Sequence, residues 1–401
     1  MSFEHQLQQI AANVEVTGPD SYRLGEHHRK VYQKQAWMEY IGPLNQFGHN
    51  QSADTQQQKQ LLEGHLCNAL YAHMYCGMPV DLSLENMPRL HEREAFMQTL
   101  SEVNHSSDQP DQNWKVYHAD AQGAWASKNG KLRQAHANSY IPAAMPGAQN
   151  QNGQLAVNQF IHFLRQKENR HIQQVFYYVH GNQYLEHDAP QVRIYWHLKP
   201  EGAAPLVNLL TQVLNEHKIA FNFKCLNHPE LYVRADSAVL YLEKRYFDYT
   251  LRVLMPHLAN LEPYLKSGHP LFSQTIMTGV SFAEDPGNGQ SFGMHRCQLL
   301  ARALMVANEK QLVIGENLKS DENSEIRQSV ETGQGAEQGK NTSSAQLRFS
   351  TMLEVMASKG ISPDRLHLNP NTLSLPVAFQ NPDQSAQSDS LNGTNNGTEA
   401  A

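Results

Sequence analysis

At 401 residues and a formal charge of −7, the chain can bury a large core in one or two domains, and its acidic balance argues against broad nucleic-acid binding, which needs a net basic surface. Four cysteines, Cys67, Cys76, Cys225 and Cys297, form no CxxC pairing, which argues against a zinc ribbon or a disulfide scaffold and fits a reducing compartment. No run approaches a bilayer span, and the polar start Met1-Ser2-Phe3-Glu4 lacks a signal peptide's basic and apolar regions, so a cytoplasmic protein with no membrane contact is expected.

Phe3, Leu7, Ile10 and Ala11 set an amphipathic helix, and the helical reading continues through Tyr32–Tyr40 with Trp37 and Tyr40 as packing anchors. Residues 48–59 read as a polar loop. Leu61, Leu62, Leu66, Ala69, Leu70 and His73 recur at helical spacing to Tyr75, where Gly77 and Pro79 stop the helix. Leu90, Phe96 and Leu100 repeat the pattern over 90–104. Between Trp114 and Ile141 the period falls to two, with Asn129-Gly130 as a hairpin turn. Residues 1–141 therefore read as an N-terminal helical part with a small β-hairpin subdomain. Residues 142–153 are a connector, or a loop passing near a site.

A strand begins at Val175. In the next, Val192, Ile194 and Trp196 point to one face, while Arg193, Tyr195 and His197 point to the other. Arg193 and Tyr195 are about 6.5–7 Å apart along it. A helix over Pro205–His217 follows, then a strand in which Phe221 and Phe223 turn inward and leave Lys224 on the polar face. A third strand carries Arg234 near its start and Tyr241 near its end. Tyr249, Leu251, Leu254 and Leu258 suit a helix within Tyr246–Leu265, kinked or ended by Pro256. Thr275–Phe282 is a short strand feeding a glycine-rich turn, and Met294–Ala307 a helix. Residues 317–345 hold almost no large apolar side chain and are predicted disordered, as is the tail 376–401. Leu347–Lys359 returns to helix, capped by Gly360. The core spans 154–316 plus 346–375, and the fold class is α+β: an antiparallel sheet with flanking helices, read as one body.

Four stretches carry a resemblance: Arg193-Ile-Tyr-Trp-His-Leu198, Phe223-Lys-Cys-Leu226, Arg234-Ala-Asp-Ser-Ala-Val-Leu-Tyr241, and Ala283-Glu-Asp-Pro-Gly-Asn-Gly-Gln-Ser-Phe-Gly-Met-His-Arg-Cys297. Together they resemble the HopA-type effector family, over roughly residues 15–315 and 346–375. That family includes plant-pathogen type III effectors, cyanobacterial and other bacterial proteins, and lyase partners in lanthipeptide pathways. It is distantly similar to the phosphothreonine lyase effectors. The resemblance implies a phosphothreonine-lyase-like core and β-elimination of phosphate from phosphoserine or phosphothreonine in a protein or peptide, with no cofactor and with a partner kinase.

On that resemblance Lys224 corresponds to the base. Cations beside a lysine and partial burial lower its pKa and make a neutral amine available. Arg193, Arg234 and Arg296 would hold the phosphate through forked, charge-assisted bonds, with Tyr241 beside it. Tyr195 stands where the related lyases place an acid histidine, and His197 or His295 can substitute. Asp236 reads as an orienting partner for an arginine. The alternative is a phosphopeptide- or partner-binding module without turnover. Gly287-x-Gly289-x-x-x-Gly293 before a helix also allows a nucleotide phosphate nest, but it is not GxGxxG and no Lys-Ser/Thr follows. The histidines, 21 in all, include no two-ligand spacing joined to a third ligand, so no metal is expected.

Overall fold

The computed structural model describes residues 2–31, 55–79, 90–120, 123–136, 139–143, 155–186, 188–321 and 335–372. The Tyr32–Tyr40 helix and the tail 376–401 lie outside them, as does nearly all of the connector 142–153. The fold is α+β. A seven-stranded antiparallel sheet runs through its centre, and helices cover one face fully and the other in part.

The N-terminal helix α1 (Phe3–Asn13) buries Leu7, Ile10 and Ala11, and the Ser2 hydroxyl caps it by accepting the His5 amide. It leads into β1 (Val14–Gly18), β2 (Ser21–Leu24) and β3 (His27–Lys30), a small antiparallel meander. The helical reading of this region missed it, because five alternating residues and a Gly-Pro-Asp turn leave little periodicity to detect. Helix α2 (Thr55–Ala69) starts inside the expected polar loop and passes into a π-helical turn, Leu70–Tyr75, before Gly77 ends it at φ +67°. Helix α3 (Leu90–Glu102) follows.

Strands β4 (Gln109–Asp120), β5 (Gly123–Lys128), β6 (Lys131–Ala135) and β7 (Tyr140–Pro142) form the second sheet. Asn129 and Gly130, at φ +50° and +77°, make the tight turn between β5 and β6. A strand from beyond the connector, β8 (Phe160–Arg165), inserts between β4 and β7. Trp114, Val116, Ile161 and Phe163 fill a separate small core there.

The central sheet takes β9 (Glu168–Asn169), β10 (Phe176–His180), β11 (Gln191–Trp196), β12 (Phe221–Leu226), β13 (Ala238–Glu243), β14 (Gln274–Met277) and β15 (Val280–Glu284) in the order β14-β15-β11-β13-β12-β10-β9. The single strand expected over Thr275–Phe282 is thus a hairpin, bent at Gly279. Val192, Ile194, Trp196, Phe221, Phe223, Leu240 and Leu242 pack onto helices α4 (Ala203–Glu216) and α5 (Phe247–Leu258). Within α5, Tyr249, grouped by its spacing with Leu251, Leu254 and Leu258, is exposed.

The opposite face was read as open to water. Over β15 and β11 it is instead a second core, in which Tyr195, Val239 and Ala283 meet α1, α2, the π-turn, α6 (Phe292–Asp321) and α7 (Gly335–Ser358). Every residue from Val192 to Trp196 is consequently buried. Toward β12 and β10 this covering thins, and Tyr178, His180, Asn222, Lys224 and Tyr241 are half-buried. Helix α6 runs on through Asp321 and α7 begins at Gly335, so both ends of the segment predicted disordered are helical; 322–334 lie outside the described residues. Gly360 ends α7 at φ +69°.

Candidate functional site

Register places the candidate residues. Arg193 on β11 lies opposite Tyr241 on β13, which lies opposite Asn222 on β12, which lies opposite His180 on β10. One pair along the strands, Tyr195, Val239, Lys224 and Tyr178 form a second row on the same face. Because strand side chains alternate, both rows share one side of the sheet.

Lys224 is held among rings. Its amine stands 4.1 Å from the Phe176 centroid, 5.7 Å from Tyr178 and 5.9 Å from Tyr241, and donates to Gln173 Oε1 at 3.3 Å. Two of those rings also carry an arginine. The Arg193 guanidinium carbon is 5.0 Å from the Tyr241 centroid, and that of Arg234 is 5.5 Å from Phe176. Three cations from three separate segments therefore meet around shared aromatic walls.

Both arginines are oriented by carboxylates. Arg193 donates Nε and Nη2 to Asp285 Oδ2, with Nη2 also 3.3 Å from the Gln290 carbonyl. Arg234 precedes β13 instead of lying in it, and grips Asp236 with Nε to Oδ1 and Nη2 to Oδ2, both at 2.8 Å. Asp236 is thus the orienting partner of an arginine. Burial alone would raise its pKa, but Arg234, Lys224 and the Cys76 thiol outweigh that and hold it below the ordinary carboxylate value. Burial opposes the charge on Arg234 as well, yet Asp236 holds that guanidinium well above its ordinary range. Nη1 of each arginine has no hydrogen-bond partner among the described residues.

Four candidates are engaged otherwise. Arg296, expected on the phosphate, is fully buried and donates Nε to the Leu366 carbonyl at 2.9 Å and Nη2 to that of Leu368 at 2.7 Å. It ties down the C-terminal segment by satisfying these carbonyls inside the core. His295 accepts from Arg296 Nη1 at 2.6 Å, and burial together with that cation pushes it down to about 4, which disfavours the imidazolium that an acid role needs. The Tyr195 hydroxyl is enclosed beside the Tyr75 phenol without a partner in hydrogen-bond geometry, and burial pushes its pKa well up. An acid role for it loses its basis. His197 donates from Nδ1 to the Ser267 carbonyl at 2.9 Å, and burial lowers its pKa.

The glycine-rich turn spends its donors on itself. Asp285 Oδ1 accepts the Gly287 amide, Asn288 Oδ1 that of Gln290, and the Ser291 hydroxyl caps α6 by accepting the Met294 amide. A nest needs those amides free, so the nucleotide reading weakens. Among the described residues, no group of three or more His, Cys, Asp or Glu side chains could hold a metal ion, and no helix is long and apolar enough to cross a membrane. Sequence reading missed Phe176 and Tyr178 as walls of the cluster, and Tyr71, whose helical spacing marks it only as core.

The comparison that decides the family covers this cluster. The HopA1 effector protein family matches residues 167–365, a stretch that contains Phe176, Arg193, Lys224, Arg234, Tyr241 and Asp285. Over residues 167–365 the chain belongs to the HopA1 effector protein family. An effector protein structure from Pseudomonas syringae pv. tomato strain DC3000 is similar at 15% identity, covering 80% of this chain and 93% of that one, with a TM-score of 0.36. Another, from Pseudomonas syringae pv. syringae strain 61, is similar at 14% identity over 79% of this chain and 98% of that one, with a TM-score of 0.37. No curated protein sequence matches the chain.

Proposed function

We propose that this HopA1 family chain is a cofactor-independent lyase that eliminates phosphate from phosphoserine or phosphothreonine in a protein or peptide, on a phosphothreonine-lyase-like core. The observation that carries the reading is the placement of the Lys224 amine between two rings, Phe176 and Tyr241, each of which also carries an arginine. In the reaction, Lys224 removes the Cα proton, the freed pair forms the Cα–Cβ double bond, and the Cβ–O bond breaks with its electrons leaving on phosphate. The free edges of Arg193 and Arg234 compensate the charge that grows on the leaving oxygen. The substrate has to be made first, by a protein kinase acting on serine or threonine.

A second reading, binding of a phosphorylated partner without turnover, is favoured by Tyr195. Where an acid is required, this chain offers an enclosed phenol whose pKa burial raises. Incubation with a phosphothreonine peptide separates the two. The lyase yields dehydrobutyrine, seen as loss of the elements of phosphoric acid by mass spectrometry, whereas a binding module returns the peptide intact.

A further inference from the structure

The π-turn at 70–75 approaches this cluster from outside the matched region. The Cys76 amide reaches back five residues to the Tyr71 carbonyl at 2.9 Å, and the Met78 amide six residues to Ala72 at 3.0 Å. Such widened turns have poorer bonds than an α-helix and concentrate at functional sites. Here the turn stacks Tyr71 on Tyr75, with ring centroids 5.2 Å apart and planes 16° from parallel. So placed, the Tyr71 hydroxyl accepts a long bond from Arg234 Nη2 at 3.3 Å and donates one to Asp236 Oδ2 at 3.4 Å.

Just past the turn, the Cys76 carbonyl accepts the Ala235 amide at 2.7 Å, a further contact with the segment before β13. Arg234 is thereby fixed on two sides, with Nε and Nη2 committed to Asp236 and Tyr71. A guanidinium is a flat fork on a long stem, and fixing one edge of it spares the entropy of ordering the other when an anion arrives.

The geometry points to Tyr71 as a positioning residue of the anion site, holding the Arg234–Asp236 pair so that Arg234 Nη1 stays available to a phosphoryl group. The inference rests on the reading of Arg193, Lys224 and Arg234 as a phosphate-binding cluster. Its consequence is that residues 167–365 do not contain the whole site. The π-turn that follows α2 completes it.

Inorganic phosphate is the probe, because it reports on the cluster whether or not a phosphopeptide is turned over. Calorimetric titration of the full chain is expected to show phosphate binding, weakened about tenfold in Tyr71→Phe, the scale of one weak bond to a charged group. Tyr177→Phe removes a buried hydroxyl from the opposite face of the sheet and should leave the affinity unchanged. Equal affinity in wild type and Tyr71→Phe, equal weakening in both variants, or no phosphate binding by the wild type would each overturn the inference. A check without substitution follows the Arg234 Nε–H resonance, which should shift with phosphate at the calorimetric affinity; a resonance that stays put counts against it. Phosphate binding that depends on Tyr71, with no elimination from a phosphothreonine peptide, would remove the lyase reading and leave this inference standing.

Discussion

Arg193 donates both Nε and Nη2 to one oxygen of Asp285, 92 residues further along the chain, and this contact pins the glycine-rich turn to the edge of the cluster. The pair is nearly enclosed, with side-chain exposures of 10% and 16%. Removing one member of such a pair leaves the other charge buried and uncompensated, which costs more than the pair contributes intact. Asp285→Ala should therefore lower stability by about 3 kcal/mol, read as a lower midpoint in urea with an unchanged slope.

Gly293, in the first turn of α6, is where the π-turn meets that helix. A Cβ built there would stand 2.4 Å from Cε1 of Tyr75 and 2.5 Å from Cζ. The ring is enclosed among Tyr71, Tyr195 and Phe292, so it has nowhere to retreat. Gly293→Ala should destabilise by about 1–3 kcal/mol through overpacking. It should also shift the near-ultraviolet circular dichroism of the tyrosine stack.

Arg296 separates a structural role from a ligand role. Arg296→Met leaves the Leu366 and Leu368 carbonyls without donors and should speed amide exchange in residues 361–372 and at Glu284, whose amide bonds the His367 carbonyl at 2.8 Å. Phosphate affinity should remain that of the wild type. Exchange measured by mass spectrometry, beside a phosphate titration, checks both halves.

The division between legible and illegible features follows physical lines. Alternation from Val192 to Trp196 and at Phe221 and Phe223 fixed the strands and their inward face, and Asn129-Gly130 declared its turn, because these depend on neighbours in sequence. The second core over Tyr195 and Val239 was hidden, since a tyrosine and an arginine read as solvent-facing until an enclosing helix or a distant carboxylate is known. Arg296 looked like a ligand for the same reason: its carbonyl partners at 366 and 368 lie 70 and 72 residues away. The π-turn leaves no trace in a pattern whose apolar spacing is also α-helical.

Two histidines, His367 buried and His295 half-buried, make stability fall with acid. Burial, with Arg296 nearby, pushes both His295 and His367 down to about 4 from their ordinary 6.5. Each is neutral in the folded chain and takes up a proton more readily when unfolded. Their contribution is fully present above pH 6.5 and is lost as pH falls toward 4. Asp236, held below its ordinary value, acts with the same sign at lower pH. The urea midpoint should drop between pH 7 and pH 5, and His367→Gln should flatten that drop; a midpoint that rises over this interval would contradict the assignment.

The most direct measurement compares wild type with Lys224→Met on a phosphothreonine peptide, following dehydrobutyrine formation and peptide affinity separately. Methionine fills the space among Phe176, Tyr178 and Tyr241 but has no amine. The account predicts conversion by the wild type, and binding without conversion by the variant. Conversion by Lys224→Met at the wild-type rate, or an intact peptide after prolonged incubation with the wild type, would contradict it.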